Sequence, residues 1–271
     1  MQKTLIRLAS QIAPRQVSNF AYKQLLNPQV HKLRDFELAV LAQAQKERLA
    51  FQGFDIATYI WPGGPRKILL IHGWEGQAGN FGDIIKALRA ANFTVLAFDA
   101  PSHGFSSKGK TSLFEFTDLV KFLIGTHEVK DLISHSFGGV ATTYALSQLP
   151  AVNIDKYLLL TTPDRFTERI DDVSSQVGIT EEVKNLLKQR LAAETGYDPR
   201  VLNVSDFVKQ IKVKEGLIIH DKNDKVIPIE RARNVVNNWP AGKMEEIEGT
   251  GHFRILRDEK VIKRILQFLK V

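Results

Sequence analysis

The chain of 271 residues has no cysteine. Disulfides, thiolate metal sites and a cysteine nucleophile are therefore excluded. It also has no apolar run approaching the ~18 residues that a membrane-crossing helix needs. Leu5–Ala13 is a short apolar stretch, but Arg7 interrupts it and no small-residue cleavage site follows. The expectation is a soluble, cytoplasmic protein without a secretory signal. Neither G-x-G-x-x-G nor G-x-x-x-x-G-K-[ST] is present, so no nucleotide cofactor is expected. No other organic cofactor and no metal is expected either. There is no internal repeat and no low-complexity tract. No zinc-finger, RNP-like or aromatic-interleaved basic motif points to nucleic acid.

Hydrophobic residues make up 44% of the chain and charged residues 25%. That balance is ordinary for a globular protein able to bury a sizeable core. The net charge is +7, and it is uneven. Residues 1–50 hold eight Lys/Arg (3, 7, 15, 23, 32, 34, 46 and 48) against three acids (35, 37 and 47). Such a segment reads first as a solvated helical face. Contact with an acidic partner or an anionic lipid surface is the functional alternative.

Residues 1–50 read as a helical N-terminal extension broken near Pro14 and Pro28, with Phe36–Leu49 at helical spacing. From Phe51 the pattern changes. Phe51–Trp61 alternates loosely and ends at the turn Pro62-Gly63-Gly64-Pro65. Short apolar runs follow at Lys67–Ile71, Thr94–Phe98, Asp131–Ser134, Tyr157–Leu160, Gly216–His220 and Met244–Ile247. Helical stretches separate them: Asn80–Ala91, Ser112–Gly125, Phe137–Leu149 and Glu230–Trp239, with Glu259–Leu269 closing the chain. This alternation predicts an α/β fold, a mostly parallel doubly wound sheet with helices on both faces. The pattern lapses over 164–213, where Glu181–Ala193 is amphipathic. That segment is expected to be a helical cap, placed where open α/β sheets bind ligands. Residues 51–163 and 214–271 then form the core.

Chemistry-bearing residues recur where strands end. Ser134-His135-Ser136-Phe137-Gly138-Gly139 lies between a predicted strand and a predicted helix. A serine in so tight a turn projects its hydroxyl above the sheet edge, and the helix N-terminus aims backbone N–H groups at a reacting oxygen. Ile71-His72-Gly73-Trp74 ends the first buried run, with Glu75 next. Phe98-Asp99-Ala100-Pro101-Ser102-His103-Gly104 follows the second. Later come His220-Asp221-Lys222-Asn223-Asp224 with Val226-Ile227-Pro228 behind it, and Gly249-Thr250-Gly251-His252.

Together these segments resemble the α/β-hydrolase family over about residues 55–271. Ser136 matches the nucleophile elbow, G-x-S-x-G, with Ser134 in place of the first glycine. Residues 72–74 are similar to the family's H-G-x loop. The resemblance implies that the Trp74 and Phe137 amides form an oxyanion hole, contributing on the order of 3 kcal/mol per donor. It implies Asp224 as the acid, with Asp221 the runner-up and Asp164 a more distant option. His252 is the implied base. The chain order Ser, Asp, His is that of the family. Asp99 and His103 precede the serine and fall to loop structure. His72 is expected to hold its loop. Glu75 must face away from the oxyanion site or be paired.

The implied activity is serine hydrolysis through an acyl-enzyme, with a small carboxylic ester or thioester as substrate. Amides and C–C bonds are open alternatives, as is a non-catalytic relative that binds a ligand or partner. Haloalkanes and epoxides are attacked by a carboxylate in this family and do not suit Ser136. Arg165, Glu168, Arg169, Asp171 and Asp172 near the start of the cap suggest a small polar or amphiphilic substrate.

Overall fold

Runs that are apolar on every residue become inner strands, because only a strand covered on both faces buries them all. A computed structural model, describing residues 2–195 and 198–270, gives the element order. Three helices lead: α1 (Gln2–Ile12), α2 (Pro14–Leu25) and α3 (Asp35–Ala42). Then come β1 (Gln45–Phe51), β2 (Phe54–Trp61), β3 (Lys67–Ile71), α4 (Gly82–Ala90), β4 (Thr94–Phe98), α5 (Leu113–His127), β5 (Asp131–His135), α6 (Phe137–Ser147) and β6 (Ile154–Leu160). After β6 the chain is helical through α7 (Phe166–Val177), α8 (Glu181–Thr195) and α9 (Val204–Phe207). The remainder is β7 (Val213–Asp221), α10 (Ile229–Asn237), β8 (Gly242–Ile247), α11 (Gly251–Arg254) and α12 (Glu259–Lys270).

The eight strands form one sheet in the order β1-β2-β4-β3-β5-β6-β7-β8. β1 pairs antiparallel with β2, and β2 antiparallel with β4. Every later pairing is parallel. Alternate side chains of each inner strand enter opposite cores, as the two-residue period of a strand requires. On one face Leu69, Ile71, Leu132, Tyr157, Leu159 and Ile218 pack with α5, α6 and α10. On the other, Ile68, Leu70, Ile133, Leu158, Leu160 and Ile219 pack with α3, α4 and α12. Each such buried Leu or Ile contributes about 1.5–3 kcal/mol. Local signals agree: Ser112 caps α5, its hydroxyl accepting from the Phe114 amide while Glu115 returns to the Ser112 amide.

One expectation fails near residue 50. The helix predicted over Phe36–Leu49 stops at Ala42, and the strand predicted over Phe51–Trp61 is present as β2 but pairs as the second arm of a hairpin. Gln52 and Gly53 turn that hairpin at φ 47° and 81°. Edge pairing with β2, together with the Arg48–Asp55 ion pair at 2.6 Å, overrides the helical propensity of Lys46–Ala50. The leading helices also divide. α3 sits on the main core, where the Trp61 indole donates to the Val40 carbonyl. α2 instead packs Tyr22 against Ile170, Leu187 and Leu191 of α7 and α8.

Candidate active site

Parallel strands share one carboxyl edge, so the turns after β3, β5, β7 and β8 meet there. Ser136 opens α6 immediately after β5, at φ 54° and ψ −124°. A non-glycine residue in such a conformation costs about 1–3 kcal/mol and persists only where its surroundings enforce it. Here the Ser136 amide donates to the Leu160 carbonyl at 3.0 Å and its carbonyl accepts from the Gly139 amide at 2.8 Å. The glycines behind it permit a close crossing. A Cβ at Gly138 would lie 2.4 Å from the His72 carbonyl oxygen, and one at Gly139 2.7 Å from Leu159 Cδ2. Ser134, in place of a glycine, is fully buried, and its hydroxyl lies 2.9 Å from the Tyr157 hydroxyl.

His252 lies in the first turn of the short α11 and reaches Ser136 from the sheet edge. Its Nδ1 lies 2.8 Å from Asp224 Oδ2 and its Nε2 3.1 Å from Ser136 Oγ. A carboxylate on Nδ1 holds the proton there and leaves Nε2 to accept from the serine hydroxyl. Asp224 is buried and also accepts from the Val226 and Ile227 amides at 2.7 and 3.0 Å. Burial would raise its pKa, but the bonds from His252 and from those two amides hold it below the usual carboxylate value.

The two other aspartates considered do not touch the imidazole. Asp221 is buried and accepts from the Asn223 amide, both donors of Thr250 and the Gly251 amide. It therefore holds the loop that carries His252. Asp164 accepts from the Ser205 amide and Asn234 instead. His135 is a second neighbour that sequence reasoning passed over. Its Nε2 donates to the His252 carbonyl at 2.9 Å, and the two rings lie 4.9 Å apart. Burial and the nearby His252 lower its pKa to about 3, so it backs the imidazole without adding charge. The spacing of Asp221 and Asp224, and a histidine directly before Ser136, were the available signals.

The loop after β3 lies against Ser136. An ideal Cβ at Gly73 would stand 3.1 Å from Ser136 Cβ. The Trp74 ring meets the Phe137 ring edge-on at 5.1 Å, so the two residues proposed as amide donors adjoin. His72 is buried; its Nε2 accepts from the Ala100 amide and its Nδ1 donates to the Gly73 carbonyl. It acts as a loop brace. Asp99 likewise accepts from Ala78, Tyr59 and Phe105. Glu75 is exposed at φ 61°, and its carboxylate accepts from the Gln29 amide. Glu168 pairs with Arg231, and Asp171 with Lys188 at 2.7 Å. Those two carboxylates are engaged in ion pairs, whereas Arg165 is exposed; the side chains of Arg169 and Asp172 lie outside the described residues. Among the described residues, no group of three or more His, Asp or Glu could hold a metal ion.

A mostly parallel sheet with a serine on a strained strand-to-helix turn defines the class. The chain matches the profile of the alpha/beta hydrolase family over residues 68–264 and belongs to that family. It is a hydrolase. It is similar to the uncharacterized hydrolase YugF of Bacillus subtilis (strain 168), with 24% identity over 250 residues, spanning 76% of this chain and 91% of that one. Its fold is similar to that of Est1E from Butyrivibrio proteoclasticus, solved with ferulic acid (TM-score 0.66, 17% identity, 83% of this chain and 100% of that one). It is also similar to an esterase of Pyrococcus furiosus (TM-score 0.64, 18% identity, 91% and 97%). No helix among the described residues is long and apolar enough to cross a membrane.

Proposed function

We propose that this hydrolase uses Ser136 as nucleophile, His252 as general base and Asp224 as the acid that orients the histidine. The observation that carries this is the continuous chain of contacts from Ser136 Oγ through both imidazole nitrogens to a buried carboxylate. In the proposed sequence His252 Nε2 takes the hydroxyl proton as Ser136 attacks a carbonyl carbon. Asp224 holds the Nδ1 proton in place and stabilises the imidazolium that results. The amides of Trp74 and Phe137 bind the oxyanion. His252 then hands its proton to the departing alcohol or thiol, and an acyl-Ser136 ester remains. Water, deprotonated by His252, attacks that ester and releases the acid. No cofactor enters these steps.

The substrate class proposed is a small carboxylic ester or thioester. Support comes from the family and from structural neighbours that include an esterase and a thioesterase domain. The test is exposure of the purified protein to a fluorophosphonate probe, followed by peptide mass spectrometry. The expected result is an adduct on Ser136 that Ser136→Ala and His252→Ala both abolish. A folded protein that takes no adduct, or takes it on another serine, overturns the proposal.

A further inference from the structure

The first helix presents most of its large apolar residues to solvent rather than to the protein, and the second adds one more. In α1, Ser10 and Ile6 turn inward. Leu5, Leu8 and Ile12, at helical spacing on the opposite side, are 61%, 53% and 74% exposed. α2 packs Tyr22, Ala21 and Leu25 against α7 and α8, and only Phe20 among its large apolar residues stands out, at 64% exposure. A surface helix of a protein that stays in water normally has the reverse pattern.

Charge accompanies these residues. The first 34 positions hold six Lys/Arg (3, 7, 15, 23, 32 and 34) and no Asp or Glu. Lys3, Arg7, Arg15 and Lys23 are exposed, and none makes an ion pair among the described residues. Of the acids of α7 and α8, Glu182 is exposed and makes no ion pair among the described residues, while others are committed elsewhere. Asp171 and Glu181 pair with lysines of α8, and Glu194 with Arg190. With no acid in the first 34 positions, little opposes the positive field of the two helices.

We propose that α1 and α2 form a docking surface for anionic lipid membranes. Leu5, Leu8, Ile12 and Phe20 enter the boundary between headgroups and acyl chains, and the exposed Lys and Arg of the same two helices reach toward lipid phosphates. A second copy of this chain fits the face less well. It would set two arms, each with six basic residues and no acid, against one another. The proposal does not rest on the identity of the nucleophile.

The test is vesicle flotation at low ionic strength. One set of vesicles is phosphatidylcholine alone and the other is phosphatidylcholine mixed with phosphatidylglycerol. The wild type floats with the mixed vesicles only, and is released at ~1 M salt, where screening acts within about 3 Å. The variant Lys3→Gln/Arg7→Gln/Arg15→Gln binds about a hundredfold more weakly, at roughly fivefold per basic residue. Leu5→Ser/Leu8→Ser/Ile12→Ser loses binding by about tenfold or more per residue. All six positions are exposed, and circular dichroism checks that both variants keep the wild-type fold. Failure of the wild type to float, or flotation unchanged in both variants, overturns the proposal. So does a stable dimer in light scattering that the serine variant dissociates.

Discussion

Two aspartates three residues apart divide the work of the loop after β7. Asp224 meets the imidazole, whereas Asp221 gathers the Thr250 and Gly251 donors that set where His252 begins. Asp221 is thus a positioning residue acting through the loop. Asp221→Asn would turn an amide N–H toward donors that need an acceptor, leaving buried groups unsatisfied. The expected outcome is a loss of about 2–3 kcal/mol in denaturant unfolding. Fluorophosphonate labelling of Ser136 slows at least tenfold with it. A variant that loses stability but labels at the wild-type rate would show that Asp221 has no part in placing His252.

At the scale of elements, the decisive contact is the crossing of α6 over the end of β3. It brings the Gly73 loop against Ser136, and it requires Gly138, whose Cβ position is 2.4 Å from a backbone carbonyl oxygen. Backbone cannot swing aside as a flexible side chain can. Gly138→Ala therefore forces α6 and the β3 loop apart, at about 1–3 kcal/mol. Calorimetry should show a lowered Tm, and labelling of Ser136 should slow as the Phe137 and Trp74 amides separate. Wild-type labelling in a destabilised Gly138→Ala protein would place the oxyanion donors elsewhere.

For the molecule as a whole, acid sensitivity follows from its buried histidines. Burial, the largest cause in each case, lowers His135 to about 3 and His103 to about 4, and it lowers His72 and His220 as well. Unfolded, each would titrate near 6.5. Between those values the unfolded chain binds more protons than the folded one, so stability rises with pH. It is fully present above about 6.5 and is lost as pH falls toward 4 and then 3. By pH ~5 His135 and His103 each remove about 2 kcal/mol. Urea unfolding at pH 8, 6 and 5 should show that decline, and a flat profile would mean that these side chains are not held neutral.

Much of this was written locally in the chain. Fully apolar runs between turns dictate inner strands, because their two faces must both be covered. The order of strand, turn and helix also put Ser136, Asp224 and His252 each after a strand, at one edge of a parallel sheet. Three matters depended on tertiary contact. β1 is a strand only because β2 offers it an edge, against the helical preference of Lys46–Ala50. Sequence left Asp221, Asp224 and Asp164 as candidates to meet the histidine, and only the loop paths bring Asp224 to 2.8 Å from its ring. The outward turn of Leu5, Leu8 and Ile12 was equally hidden. Periodicity shows that a helix has an apolar face, but which side the protein covers is decided by the segment it packs against.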